Sequence, residues 1–157
     1  MRVAIQAVTP ATQSVVGHLL QLYEYDSSAV FGADVEHDGL YHVIDPDELW
    51  QPPYRIYLIR VDDHWSGFAF VTRHPAYFGT GETWLMNEFF VMRKYRRTGV
   101  GTMLARAVFA RFPGEWQVRQ ITANPAATAF WRQAIPVHFV QETLDHGPVQ
   151  RFTITNR

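Results

Sequence analysis

Apolar positions along the chain recur with two different periods, and the switches between them set out the order of elements. Val3 to Val8 is β-branched and apolar enough for an opening strand. Thr9 followed by Pro10 has the form of a helix N-cap with proline at the first helical position. Beyond it Val15, Val16, Leu19, Leu20, Leu22 and Tyr23 recur at helical spacing, which predicts a helix to about Ser27. From Phe31 to Pro53 the chain is rich in Gly, Asp, His and Pro and reads as irregular, with a short helix opening at Asp45-Pro46. Irregular segments of that length are often binding loops.

Tyr54 to Val61 and Phe68 to Arg73 predict a hairpin turning through Asp62 to Gly67. A second loop, His74 to Gly81, leads into the strand Thr83 to Met92, apolar except for Asn87 and Glu88. After a basic turn, Val100, Met103, Leu104, Ala107 and Val108 fit an amphipathic helix, which Pro113-Gly114 ends. Glu115 to Ala123 predicts a further strand. Asn124-Pro125 then opens a helix with the apolar face Ala127, Phe130, Trp131 and Ala134, stopped by Pro136. Val137 to Leu144 and Val149 to Thr155 close the chain as two strands. The order is that of an α/β (α+β) chain, a mixed sheet with helices packed on it, without repeat, linker or low-complexity tract.

Composition narrows the function classes. The 157 residues suit one domain over 1–157, and 47% hydrophobic against 18% charged residues is a globular balance. The aromatic share of 15% points to a bulky core or an aromatic-lined cleft. Cysteine is absent, which excludes disulfides, thiolate zinc sites and cysteine nucleophiles. Fourteen basic residues against fifteen acidic ones give a net charge of −1, without the broad basic field of a nucleic-acid binder. Lys94 is the only lysine, and its context suits neither a Schiff base nor a phosphate-binding loop. The seven histidines show no helical pairing that would hold a metal. No basic start followed by an apolar segment marks a signal peptide, and no apolar run nears the ~20 residues that span a bilayer. A cytoplasmic protein without membrane attachment is expected, and a homodimer is compatible with it.

The chemistry concentrates between Asn87 and Thr102. A buried-looking strand stops, an arginine-rich loop with Gly99 and Gly101 follows, and a helix begins at once. The first turn of such a helix has free N–H groups and the positive end of the helix dipole. Glycines let a phosphate approach the backbone, and arginines add charge, so the junction is built to hold a diphosphate. A Walker loop fails for lack of a lysine after Gly101, and a dinucleotide fingerprint fails because Leu104 stands where its third glycine belongs. What remains is Arg-x-x-Gly-x-Gly, at Arg96, Gly99 and Gly101.

With those residues the sequence resembles the GCN5-related N-acetyltransferases (GNAT). Val91 through Gly101 follows the family's acetyl-CoA motif. Asn124, Ala127 and Phe130 meet a second motif, Asn-x-x-Ala-x-x-Phe-Tyr, with Trp131 where the tyrosine usually stands. The two lie about 25 residues apart, in the right elements. The resemblance implies a mostly antiparallel sheet of six to seven strands that splays after the fourth, with about four helices. It also implies acetyl-CoA as acyl donor and a primary amine, small-molecule or protein, as acceptor. The diphosphate would lie at Arg96, Arg97, Thr98, Gly99, Val100, Gly101 and Thr102; backbone groups of Phe90, Val91 and Met92 would pair with the pantetheine arm; Asn124 and Phe130 would complete the cofactor site.

Glu88, in the strand beside that arm, is the candidate base; the rival reading makes it an ion-pair partner of Arg60 or Arg119. Trp131 has no acidic proton for the departing thiolate, which leaves Tyr95, Tyr23 or water for that step. His37 and His42 with Asp34, Glu36 and Asp38, and Glu24 and Asp26 on the first helix, are either a reader of a cationic acceptor or a solvated surface. A non-catalytic acyl-CoA-binding module and an anion- or RNA-binding loop at Arg93–Arg97 are the rivals to the enzyme.

Overall fold

A computed structural model of the chain describes residues 1–45, 48 and 54–156. Among these residues seven strands form one sheet: β1 (Val3–Ala7), β2 (Arg55–Val61), β3 (His64–Pro75), β4 (Glu82–Val91), β5 (Gly114–Arg119), β6 (Val140–Leu144) and β7 (Gly147–Ile154). Their spatial order is β1-β2-β3-β4-β5-β7-β6, and every neighbouring pair is antiparallel except β4 with β5. Three α-helices are found among the described residues: α1 (Gln13–Phe31), α2 (Val100–Arg111) and α3 (Pro125–Ala134). About four were expected. The short helix anticipated at Asp45-Pro46 falls on residues 46–53, which apart from Glu48 lie outside the described residues. None of the described helices is long and apolar enough to cross a membrane.

Alternation along the strands feeds two cores. Val16, Leu19 and Leu20 of α1 bury Leu58, Phe68, Phe70 and Phe90 on one face of the sheet. On the other face α2 and α3 cover Ile59, Val71, Val91, Trp116 and Phe152 with Leu104, Phe109 and Trp131. Four boundaries differ from the sequence reading. Helix α1 runs past Ser27 to Phe31: the hydroxyls of Ser27 and Ser28 are satisfied by carbonyls of the preceding turn, and Gly32 at φ 70° is the actual stop. The β2–β3 turn is only Asp62-Asp63, both at positive φ, as a tight hairpin requires. β5 ends at Arg119; beyond it the amides of Gln120 and Thr122 bond to Pro148 and His146 in the β6–β7 hairpin. β6 begins at Val140 rather than Val137.

The feature that positions the site is where β4 and β5 part. Among the described residues only Trp84↔Trp116 and Leu85↔Gln117 are paired there, and none pairs with β4 from Met86 to Val91 on its β5 side. The splay after the fourth strand is therefore present, with Phe130 and Trp131 of α3 packed on the Phe89 side chain beside it.

Candidate active site

Three elements converge on the open edge of β4. The first is the strand itself. Its register against β3 slips between Phe70↔Glu88 and Val71↔Met86, leaving Asn87 as the extra residue of a β-bulge. The Thr72 hydroxyl donates to Asn87 Oδ1 and fixes the bulge. Beyond it Glu88 and Phe90 face α1, while Phe89 and Val91 pack toward α2 and α3.

Backbone direction sorts the edge residues. The Met92 N–H donates to the Ser66 carbonyl at 2.9 Å, so it points toward β3. Alternate amides of a strand point opposite ways, which turns the Val91 and Phe89 N–H groups toward the opening and that of Phe90 toward β3. Phe89 was not singled out from the sequence, because an apolar side chain gives no sign of where its amide points.

The second element is the Arg93–Gly99 loop and the head of α2. Arg97 (φ 62°) and Gly99 (φ 88°) both adopt left-handed backbone, which bends the chain sharply into the helix. Gly99 is the N-cap, no side chain caps α2, and the first turn's amides face outward, the first intrahelical bond running from Met103 N–H to the Gly99 carbonyl at 3.0 Å. A Cβ on Gly99 would meet no atom of the described residues within 4 Å, so the space at this helix head is open among them. Gly101 serves another purpose: a Cβ there would lie 3.1 Å from Phe130 Cε2 and 3.6 Å from Val91 Cγ2, so its absence lets α2 approach α3 and β4. The Thr98 hydroxyl donates back to the Tyr95 carbonyl at 2.5 Å and tightens the loop.

The arginines of this loop are not equivalent. Arg96 donates from Nε to the Val91 carbonyl at 2.7 Å and from its terminal nitrogens to Asp26 of α1, at 2.5 Å for the closer bond. Arg93 donates to the same carboxylate at 2.8 Å. Burial alone would raise the Asp26 carboxyl, but the Arg96 and Arg93 guanidiniums outweigh it and hold it below the usual carboxylate range. Arg97 has no hydrogen-bond or ion-pair partner among the described residues. Arg93 and Arg96 thus brace the loop against α1, and Arg97 takes no part in that brace.

The third element is α1. Half-buried Tyr23 donates its hydroxyl to Glu88 Oε2 at 2.5 Å. Burial pushes the Glu88 carboxyl above its ordinary value and neighbouring Glu24 adds to the rise, while the Tyr23 hydrogen bond and the Arg119 charge oppose it. No ion pair joins Glu88 to Arg60 or Arg119 among the described residues: Arg60 lies over the Trp65 ring at 5.0 Å and Arg119 over Tyr77 at 4.9 Å. The loop after α1 is tied to the helix by Gln21, whose amide exchanges two 2.8 Å bonds with the Tyr41 backbone. It holds Asp34, Glu36, His37, Asp38 and His42 on the surface, with His42 Nδ1 3.7 Å from Glu36.

Helix α3 stands beside the opening. Asn124 caps it by accepting the Ala127 N–H at 3.1 Å. Phe130 and Trp131 stack about Phe89 with ring centroids 5.4 and 4.8 Å away. Trp131 is 6% exposed and belongs to the core. Tyr95 packs against that same core, and Lys94 lies over its ring at 5.3 Å.

The motif-bearing stretch thus joins an open strand edge, an uncapped helix head and a half-buried carboxyl. A family model described as the acetyltransferase (GNAT) family matches residues 19–134, from α1 through α3. The chain belongs to the GNAT acetyltransferases. Solved structures give the same fold. An aminoglycoside acetyltransferase from an uncultured soil metagenomic sample, in complex with sisomicin, superposes with a TM-score of 0.64 at 18% identity, over 91% of this chain and 97% of that one. GNAT acetyltransferases from Staphylococcus aureus Mu50 (TM-score 0.67, 13% identity, 98% and 100% covered) and Streptococcus agalactiae 2603 (0.70, 11%, 99% and 96%) are similar. At these identities the likeness establishes the fold alone. No curated protein shows significant sequence similarity to this GNAT.

Proposed function

We propose that this GNAT transfers an acetyl group from acetyl-CoA to a primary amine of a cationic acceptor, with Glu88 as the base. One observation carries the reading: the uncapped head of α2 and a half-buried carboxyl stand along the same strand edge, which no described strand pairs on its β5 side. The residues fit the acyl donor. Gly99 leaves open space where a side chain would intrude, the first turn of α2 is uncapped, and Arg97 is uncommitted. The amides of Gly99, Val100, Gly101 and Thr102 with Arg97 would hold the diphosphate. The Val91 N–H would meet the pantetheine arm, and Asn124 and Phe130 would flank it. Thr98 and Arg96 shape the loop, and Phe90 and Met92 support the edge from the β3 side. When bound, the donor supplies a thioester carbonyl, which an amide at the opening would polarise.

An ammonium is no nucleophile, so the base comes first. Burial brings Glu88 closer to neutrality than an exposed carboxylate, which suits it to accept a proton near pH 7. Charge distribution supports a cationic acceptor. From residue 3 to residue 54 there is no lysine or arginine, while eight of the fifteen carboxylates fall in that span. It supplies α1 and its loop, the elements that carry Tyr23 and Glu24 up to Glu88. That a fold neighbour is an aminoglycoside acetyltransferase makes polyamine-like and aminoglycoside-like molecules the first acceptors to try.

Release of CoA, followed with a thiol reagent across a panel of amines, tests the reading; acceptor-dependent release is expected. One observation favours a second reading, a non-catalytic acyl-CoA-binding module: Trp131 is core and carries no acid at the motif's tyrosine position. Tight CoA binding without turnover on any amine would select it.

A further inference from the structure

The two oxygens of Glu88 have different surroundings. Oε2 accepts the Tyr23 hydroxyl at 2.5 Å, while Oε1 accepts no hydrogen bond among the described residues. Tyr23 is held in place: its ring meets Phe68 edge-on at 5.5 Å and lies 5.7 Å from Phe90, on the helix face whose Leu19 and Leu20 are buried. Resting on the reading of Glu88 as base, we propose that Tyr23 is a positioning residue, which pins Oε2 and leaves Oε1 as the one oxygen that takes the acceptor's proton. In that transfer an N–H bond of the ammonium breaks, an Oε1–H bond forms, and the nitrogen keeps the electron pair for attack.

Tyr23 is unsuited to the other role open to it, protonating the thiolate. Burial, followed by the charge and hydrogen bond of Glu88 and the charges of Glu24 and Asp26, pushes its phenol far above the ordinary value. A proton held that tightly is a poor one to offer a thiolate whose conjugate acid has a pKa of about 8.5. The groups facing Glu88 are Tyr23 and Glu24 from α1, Arg119 from β5, non-titrating Phe70 across the β3 register, and Asn87, engaged with Thr72, on its own strand. Of these, only Tyr23 bonds the carboxylate directly.

The test is Tyr23→Phe in the full chain, read in three ways. Glu88 is titrated by carbon-13 NMR of its carboxyl, assigned with Glu88→Gln; kcat/KM is measured against pH; and acetyl-CoA affinity is measured by calorimetry. Removing a hydrogen bond to the ionised form moves the Glu88 titration, and with it the acid limb of the rate profile, upward by about one pH unit. On that limb kcat/KM falls about tenfold, it recovers toward wild type at high pH, and acetyl-CoA affinity stays within about twofold. An unmoved carboxyl titration with lowered melting temperature makes Tyr23 a packing residue and overturns the proposal. The carboxyl titration needs no turnover, so a shifted titration without activity on any amine would keep the Tyr23–Glu88 coupling while refuting acetyl transfer. Should Tyr23→Phe not fold, Glu88→Gln reads the coupling from the other side. The Tyr23 phenol, followed by its Cζ resonance, must then titrate lower than in wild type, and an unchanged titration counts against the proposal.

Discussion

Gly99 is where the fold and the proposed cradle make separable demands. Its backbone sits at φ 88° and ψ −11°, and an added Cβ meets no atom of the described residues within 4 Å. Gly99→Ala therefore makes no clash inside the protein and carries only the cost of a left-handed L-residue, about 1–2 kcal/mol. Alanine also restricts the unfolded chain, which offsets about 0.4–1 kcal/mol of that. The net loss is about 0.5–1 kcal/mol, or about 1–4 °C in Tm for a chain of this size. The methyl group, however, enters the open space at the head of α2, where an anion on the first-turn amides has to sit. Displacing it from even one charge-assisted hydrogen bond costs about 1.5–3 kcal/mol, so the Kd for CoA should rise at least about tenfold. Calorimetry with CoA and urea unfolding on the same samples separate the two effects. Gly101→Ala is the contrast. Its Cβ would press on the Phe130 ring, so a packing penalty of about 1–3 kcal/mol competes with about 1 kcal/mol of helix propensity, and stability changes there through the core. A folded Gly99→Ala protein that binds CoA as tightly as wild type would refute the cradle.

Three further outcomes follow from named contacts. Glu88→Gln should abolish most turnover yet raise Tm at pH 8 and not at pH 4. The carboxyl's raised folded-state value means that its ionised form opposes folding above that value, while below pH 4 both side chains are neutral. Asp26→Asn should cost about 0.5–1 kcal/mol at pH 7, since it frees Arg93 and Arg96. Because Asp26 is held low, that difference is full at neutrality, shrinks as the pH falls through the ordinary carboxylate value where the unfolded chain protonates, and is gone once the folded-state carboxyl protonates; urea unfolding across pH 2–7 checks it. Trp131→Ala should destabilise by about 3–5 kcal/mol, measured by urea unfolding, because it opens a cavity among Phe89, Phe109 and Phe130.

The linear pattern determined most of the architecture here. β-branched runs, the Thr9-Pro10 and Asn124-Pro125 starts and the Gly99-x-Gly101 turn are local features, and local sterics and backbone hydrogen bonding act on neighbours in sequence. They located the strands, the three described helices and the junction at α2. Whatever depends on contacts between distant segments was decided by the tertiary structure alone. Arg93 to Arg97 read as one basic cluster, but Asp26, some seventy residues away in the chain, takes Arg93 and Arg96 and leaves Arg97. Phe90, Val91 and Met92 looked alike as edge residues until pairing with β3 showed which amides face the opening. Glu88 had two rival partners in the sequence, and the fold gave it a third, Tyr23, across 65 positions. Charge and hydrogen-bond partnership act through space, and a single chain pattern carries no record of which remote side chain arrives.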